Sequence, residues 1–147
     1  MNVSMVFGII FTIIVIALLL VFGSSQIQSL ICLSNDGAII KTIQDMDTRV
    51  QGLYGEAEGS SRRVTLRIPS SSQICFLNPE DLSLNAVGID FQLEPLIKSK
   101  GYNVWTFQCS GQYGYNITHL VAEPSFCAKS GELYLENKGD YVSIGKA

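Results

Sequence analysis

The side chains best suited to chemistry in this sequence are four cysteines, Cys32, Cys75, Cys109 and Cys127. No two of them form a CxxC pair, so the spacing does not indicate a zinc knuckle or a thioredoxin-like redox centre. Cys75, Cys109 and Cys127 lie in segments typical of β-strands, whereas Cys32 lies in a helical segment. We therefore predict a strand-to-strand disulfide between two of those three cysteines, with Cys127 as the favoured member. The alternative is four reduced thiols that act as small core residues.

Few other side chains suggest catalysis. His119 is the single histidine, and neither a nucleophile elbow nor a glycine-rich phosphate loop accompanies it. Glu80 and Asp81 follow Asn78 and Pro79, and they fit caps of a turn or short helix better than a catalytic acid pair. We predict a protein that is not an enzyme and that holds no cofactor and no metal.

Asn116, Ile117 and Thr118 form an N-x-T sequon, the acceptor sequence for N-glycosylation. Asn116 follows a turn predicted over residues 110–114, where the edge of a sheet would be exposed. A chance N-x-T triplet is the other explanation. Together with four cysteines in a small domain, the sequon favours an extracytoplasmic compartment, in which disulfides persist.

Charge is absent from the first 35 residues, because all 10 basic and 13 acidic residues lie at or beyond Asp36. Residues 5–22 are apolar apart from Thr12, and as a helix they would cover about 27 Å, close to the hydrocarbon thickness of a bilayer. We predict a membrane-spanning or filament-core helix over residues 3–22. A cleaved signal peptide would have a basic start and a shorter apolar core, and a buried core helix would rarely contain so long an uncharged run.

Apolar residues continue beyond Phe22 at steps of three and four, which indicates an amphipathic helix. We place this stalk helix over residues 23–51. Asn35, Asp36 and Gly37 interrupt the pattern, and they predict either a kink or a break that Asn35 or Asp36 caps. The apolar stripe extends further than a lipid anchor needs, so it predicts a protein partner for the helix.

From residue 62 onwards the apolar period changes to two, as in half-buried β-strands. The predicted strands are residues 64–68, 73–77, 103–109, 115–121, 126–128, 133–136 and 141–144. Residues 95–100 predict a short helix, and residues 129–131 and 137–140 predict hairpin turns. We therefore predict an α+β fold, in which a long N-terminal apolar helix precedes a small antiparallel β-rich head over residues 62–147.

The order of these parts resembles that of archaeal type IV pilin-like proteins, in which an apolar N-terminal helix precedes a small sheet. Residues 74–77 and 131–144 also look like segments of uncharacterised archaeal single-pass membrane proteins. The resemblance implies a subunit that assembles through its N-terminal helix into a surface filament. The chain departs from the pattern at its start, because no basic residue precedes Met5 and bacterial pilins carry a glutamate at the fifth mature position. The residues expected to form the assembly face of the helix are Ile13, Leu18, Ile27, Leu30 and Ile31.

The expected partners follow from charge and hydropathy. The net charge of −3 provides no electrostatic footprint for nucleic acid. We expect the lipid bilayer as one partner, with the C-terminal domain outside the cytoplasm, and other copies or other membrane subunits as protein partners. Two further functions stay open, an accessory single-pass subunit of a membrane protein complex and an anchored extracellular binding module.

Overall fold

The chain forms one long helix followed by a compact β-rich region. The computed structural model describes residues 2–78, 80 and 87–147 and, at residue 25, the backbone alone. Two compact units are formed by residues 1–34 and 35–147, and the second is called the head unit below. Helix α1 (Val3–Tyr54) makes up the described part of the first unit from residue 3 and continues into the head unit.

In the first unit, α1 is long and apolar enough to cross a membrane, judged by length and composition. Thr12 is the one polar side chain in the run 5–22, and its Oγ1 donates a hydrogen bond to the carbonyl oxygen of Gly8 at 2.8 Å. The hydroxyl is thus satisfied one turn back along the same helix. Residues 5–22 can therefore lie in an apolar environment without an unpaired polar side chain.

The head unit contains eight described strands and two short helical segments. They are β1 (Ser61–Arg67), β2 (Gln73–Phe76), a 3₁₀ turn (Phe91–Leu93), α2 (Glu94–Lys100), β3 (Val104–Gln108), β4 (Gly111–Tyr115), β5 (Leu120–Ala122), β6 (Phe126–Ala128), β7 (Ser130–Asn137) and β8 (Val142–Lys146). The strands form two four-stranded sheets, ordered β1-β7-β8-β5 and β4-β3-β2-β6. All strand pairs are antiparallel except β5 with β8, which is parallel. The predicted α+β fold class is confirmed.

One face of α1 supplies the centre of the head core. Its buried residues recur at steps of four and three, as the apolar pattern predicts: Ile39, Ile43, Met46, Val50 and Leu53. They pack in one cluster with inward-facing residues of both sheets, among them Val64 and Leu133 of the first sheet and Ile74 and Val104 of the second. The cavity beneath the helix has a volume of about 10 Å³, which admits one water molecule at most. The described side chains beneath the helix are therefore closely packed.

The predicted turn at 110–114 and strand at 115–121 are wrong. The β3–β4 turn falls at Cys109 and Ser110, and β4 occupies residues 111–115. Its glycines suggest a turn, but Gly114 lies under the Tyr102 ring, where an added Cβ would come within 2.3 Å of Cδ2. Gly114 therefore marks a close approach of a side chain to a strand.

The predicted hairpin at 129–131 is also wrong, whereas the hairpin at 137–140 is present. Strands β6 and β7 flank Lys129 but belong to different sheets, so this residue joins the two sheets. Strands β7 and β8 pair antiparallel around the second turn, where the Lys138 N–H donates to the Tyr141 carbonyl at 2.8 Å. The glycine-containing segments thus predict where the chain turns more reliably than they predict which strands pair on either side of the turn.

Candidate functional site

The five residues predicted to form the assembly face all lie exposed on α1. Their exposed fractions extend from 51% at Leu18 to 65% at Leu30. Leu33, one turn beyond Leu30, is 71% exposed. The first unit therefore carries an apolar helix surface that its own side chains leave uncovered. The predicted residues are Ile13, Leu18, Ile27, Leu30 and Ile31.

The character of α1 changes where the helix enters the head unit. Ile39 is fully buried and Ile43 nearly so, whereas Ile40 on another face of the helix remains 42% exposed. The sheets thus cover one face of α1 from residue 39 onwards. The head core cluster begins at Ile39.

Asp36 does not cap a break in the helix, which corrects that interpretation of Asn35, Asp36 and Gly37. α1 runs through this segment unbroken. The buried Asp36 carboxylate instead accepts hydrogen bonds from the backbone N–H groups of Cys109 at 3.0 Å and Ser110 at 3.3 Å. Because the β3–β4 turn supplies these donors, a residue that favours turns in isolation is held inside a helix here.

Asn137 binds the other end of α1, a role that the sequence analysis missed. Its buried side-chain amide donates to the carbonyl oxygens of Leu53 at 3.0 Å, Tyr54 at 3.3 Å and Glu56 at 2.9 Å. Its Oδ1 accepts from the Gly139 N–H at 2.8 Å. The last carbonyls of a helix lack partners within the helix, so Asn137 satisfies them from the β7–β8 turn. The Asn-Lys-Gly sequence signals a turn, but it does not identify the distant helix end.

His119 lies in a loop rather than in a strand, which corrects its predicted place. Its backbone has φ +66°, and its ring stacks on Tyr54 with centroids 3.8 Å apart and planes 7° from parallel. Gln51 donates from Nε2 to the Thr118 carbonyl at 3.2 Å. The loop 116–119 thus packs along the last turn of α1, and this contact gives His119 a structural role.

Asn116, the predicted glycosylation site, is exposed and directly follows β4. The loop behind it is fixed by buried Asn103, whose side-chain amide donates to the carbonyls of Ile117 and Leu120, both at 2.7 Å. Asn103 Oδ1 also accepts from the Ile117 N–H at 2.8 Å. Asn116 is therefore presented to solvent from a loop of defined shape.

A disulfide links Cys75 of β2 to Cys127 of β6. The two residues are directly opposite each other in the antiparallel register, and Cys75 is fully buried. They are two of the three cysteines singled out from the sequence, and Cys127 is among them. Cys109 lies one residue beyond β3, in the turn that Asp36 contacts. None of the four cysteines is a free thiol, contrary to the alternative of four reduced cysteines.

Two titratable groups with shifted pKa values lie near the β7–β8 turn. Desolvation raises the pKa of the Tyr141 hydroxyl above its ordinary value, and the Glu123 carboxylate, which accepts its hydrogen bond at 3.2 Å, adds to the rise. A hydrogen bond to Glu136 raises the pKa of Lys138. Both shifts favour the protonated forms at neutral pH. Tyr141 is therefore neutral and Lys138 is charged at neutral pH.

Within the residues that the structure describes, no group of three His, Cys, Asp or Glu side chains is placed to hold a metal ion. Asp81 of the predicted acidic cap lies outside the described residues. The Glu80 N–H donates to Oδ1 of Asn78 at 3.0 Å, as in an Asx turn. This contact is made by the backbone of Glu80.

No protein-family model matches the chain, and searches of curated proteins and of solved structures found no match. The likeness to pilin-like proteins accordingly depends on the order and character of the segments alone. The function is therefore argued from the exposed helix, the disulfide and the charge distribution.

Proposed function

We propose that this protein is a membrane-anchored, pilin-like structural subunit that assembles through its N-terminal helix into a surface filament. The observation that carries the proposal is the exposure of apolar side chains on α1 beyond a membrane-spanning length. These side chains are Ile27, Leu30, Ile31, Leu33 and Ile40. Each large apolar side chain contributes about 1.5–3 kcal/mol when it is fully buried. Because these side chains are 42–71% exposed, burial of all five would contribute roughly 4–9 kcal/mol, within the range of the cost of association.

Lipid covers these residues poorly if residues 3–22 span the bilayer. Leu30 lies eight residues beyond Phe22, about 12 Å further along a helix. The interfacial region on each side of the hydrocarbon adds only about 5–8 Å. Leu30 and Leu33 thus reach past the lipid, and neighbouring copies of the same helix would bury them.

The disulfide and the sequon support an extracytoplasmic head. Disulfides persist in oxidising compartments and are rare in the cytosol, and the Cys75–Cys127 bond lies in the head core. Protease treatment of intact cells tests this orientation. We expect the head unit to be cleaved or released, and its full protection would contradict the proposed location.

Assembly is tested with Leu30→Asp in the full chain, because this position lies beyond the predicted span. Gln28→Asp is the matched control, since it adds the same charge about 160° around the helix from Leu30. We expect both variants to insert, and we expect only Leu30→Asp to lose the large assembled size seen by sedimentation. If Leu30→Asp inserts normally and sediments like wild type, assembly through the helix is wrong and a monomeric anchored module replaces it.

A further inference from the structure

The head unit carries exposed positive charge at the end where α1 enters it. Lys41 and Arg67 line one groove together with Ala38 and Asp45, and the Asp45 carboxylate is paired with Arg49. Arg67 is paired with Ser130 in the β1–β7 register, which places Lys129 beside it. All three cations are exposed. Lys41, Arg67 and Lys129 are called the basic end.

Exposed negative charge lies at the opposite end, where α1 stops. Asn137 joins the β7–β8 turn to the last carbonyls of α1, so residues near this turn lie at that end. Glu58 lies against the turn, with its Cδ 3.4 Å from the position of a Cβ at Gly139. Asp140 follows Gly139 in the same turn. Glu58 and Asp140, both exposed, are called the acidic end.

Neither end is neutralised by ion pairs within the described part of the head unit. The ion pairs found there are Arg49–Asp45, Arg62–Glu56, Arg63–Glu132, Lys98–Glu94 and Lys138–Glu136. None of them includes a member of the basic end or of the acidic end. Two complementary surfaces therefore face outwards from opposite ends of one domain.

We propose that successive subunits contact each other head to tail, with the basic end of one head unit against the acidic end of the next. The inference rests on the proposed filament function and adds the contact that orients the heads within it. A contact between two different surfaces produces an open polymer when its rotation does not close a ring, whereas a two-fold contact between identical ends would bring like charges together. Exposed ion pairs are individually weak, so this contact sets polarity and register while the helix supplies most of the affinity.

A bilayer of anionic lipid is the competing partner for the basic end. It would satisfy the cations, but it would leave the matching acidic end without a role. A second copy of the chain satisfies both ends with one contact. The observations therefore favour the second copy, and lipid binding becomes an outcome of the test.

The test uses the full chain, purified in detergent and assembled by detergent removal. One variant reverses the basic end (Arg67→Glu with Lys129→Glu), and another reverses the acidic end (Glu58→Lys with Asp140→Lys). We expect each alone to give filaments at least about threefold shorter by negative-stain microscopy, because weak pairs become repulsive. An equimolar mixture should recover the wild-type length, since each variant then meets a complementary end. Lys98→Glu with Lys100→Glu on α2 makes the same change in net charge as the basic-end reversal and should leave the length unchanged.

Recovery in the mixture cannot come from a misfolded variant, so it supports the contact directly. Unchanged filament length in both reversed variants, or a mixture no longer than its components, would overturn the inference. Loss of binding to anionic vesicles by the basic-end variant at unchanged filament length would assign that end to lipid and overturn it as well. The head-to-tail contact alone is wrong if wild type assembles, Leu30→Asp fails to assemble and the charge reversals have no effect. If wild type forms no assembly, the proposed function fails with it.

Discussion

Asn137 should be among the most sensitive positions for stability outside the apolar core. Its side chain donates to three carbonyls at the end of α1 and accepts from the Gly139 N–H, with distances of 2.8–3.3 Å. It is 2% exposed, so water cannot replace these partners after substitution. Asn137→Ala would leave the end of the helix and the β7–β8 turn without their shared connection.

The expected loss follows from the number of bonds. The amide has two hydrogens to share among three carbonyls, and Oδ1 accepts one further bond, which amounts to about three full hydrogen bonds. At roughly 0.5–1.5 kcal/mol each, Asn137→Ala should lower the free energy of unfolding by about 2–4 kcal/mol. Asn137→Asp should cost at least as much, because a carboxylate cannot donate to the carbonyls and would place a buried negative charge beside their oxygens.

The assay is urea unfolding of the full chain in detergent, followed by fluorescence of Trp105, the single tryptophan, which is 3% exposed. Asn116→Ala is the matched control in unglycosylated protein, because it makes the same substitution at an exposed site. It should change stability by no more than about 0.5 kcal/mol. If Asn137→Ala also stays within that range, the bonds at the end of α1 make no net contribution and the argument is refuted.

Three further outcomes are expected. Asp36→Ala should destabilise the head unit by about 2–3 kcal/mol, and Asp36→Asn by less, because charge-assisted bonds to two backbone N–H groups are lost or weakened; equal stability of Asp36→Ala and wild type in the same assay would contradict this. Replacing Cys75 and Cys127 together by Ala should cost about 4 kcal/mol, since the disulfide spans 52 residues; an unchanged urea midpoint would count against it. Native protein from a glycosylating cell should carry excess mass that Thr118→Ala removes, and an intact mass equal to that of the bare chain would show that Asn116 is unmodified.

The period of the apolar residues allowed much of the fold to be predicted. Steps of three and four marked the buried face of α1 from Ile39 to Val50, and alternation marked most strands to within a few residues. Such patterns report which face of an element is buried. They do not report which strands pair, so the division into two sheets and the parallel β5–β8 pair could not be predicted from the sequence. Gly114 suggests a turn from the sequence, whereas the contact that requires a glycine there comes from Tyr102, twelve residues away.

In the candidate site, too, the residues found from the sequence are those that follow a local pattern. Exposed apolar residues such as Leu30 were found from the sequence, because the apolar pattern continues beyond the predicted membrane span. The two polar anchors of α1 were not, because Asp36 and Asn137 bind backbone groups 73 and 84 residues distant. Local sequence rules assign such residues to turns and caps. Their hydrogen-bond partners in the folded head unit, which are distant in sequence, are not visible to those rules.

Photocrosslinking from position 30 tests the central claim most directly. A photoreactive amino acid replaces Leu30 in the full chain, with Gln28 as the matched position on the opposite side of the helix, and membranes are irradiated before denaturing electrophoresis. The proposed assembly predicts a ladder of crosslinked copies of this chain from position 30 and little from position 28. Products from position 30 that contain only lipid or an unrelated protein would contradict it.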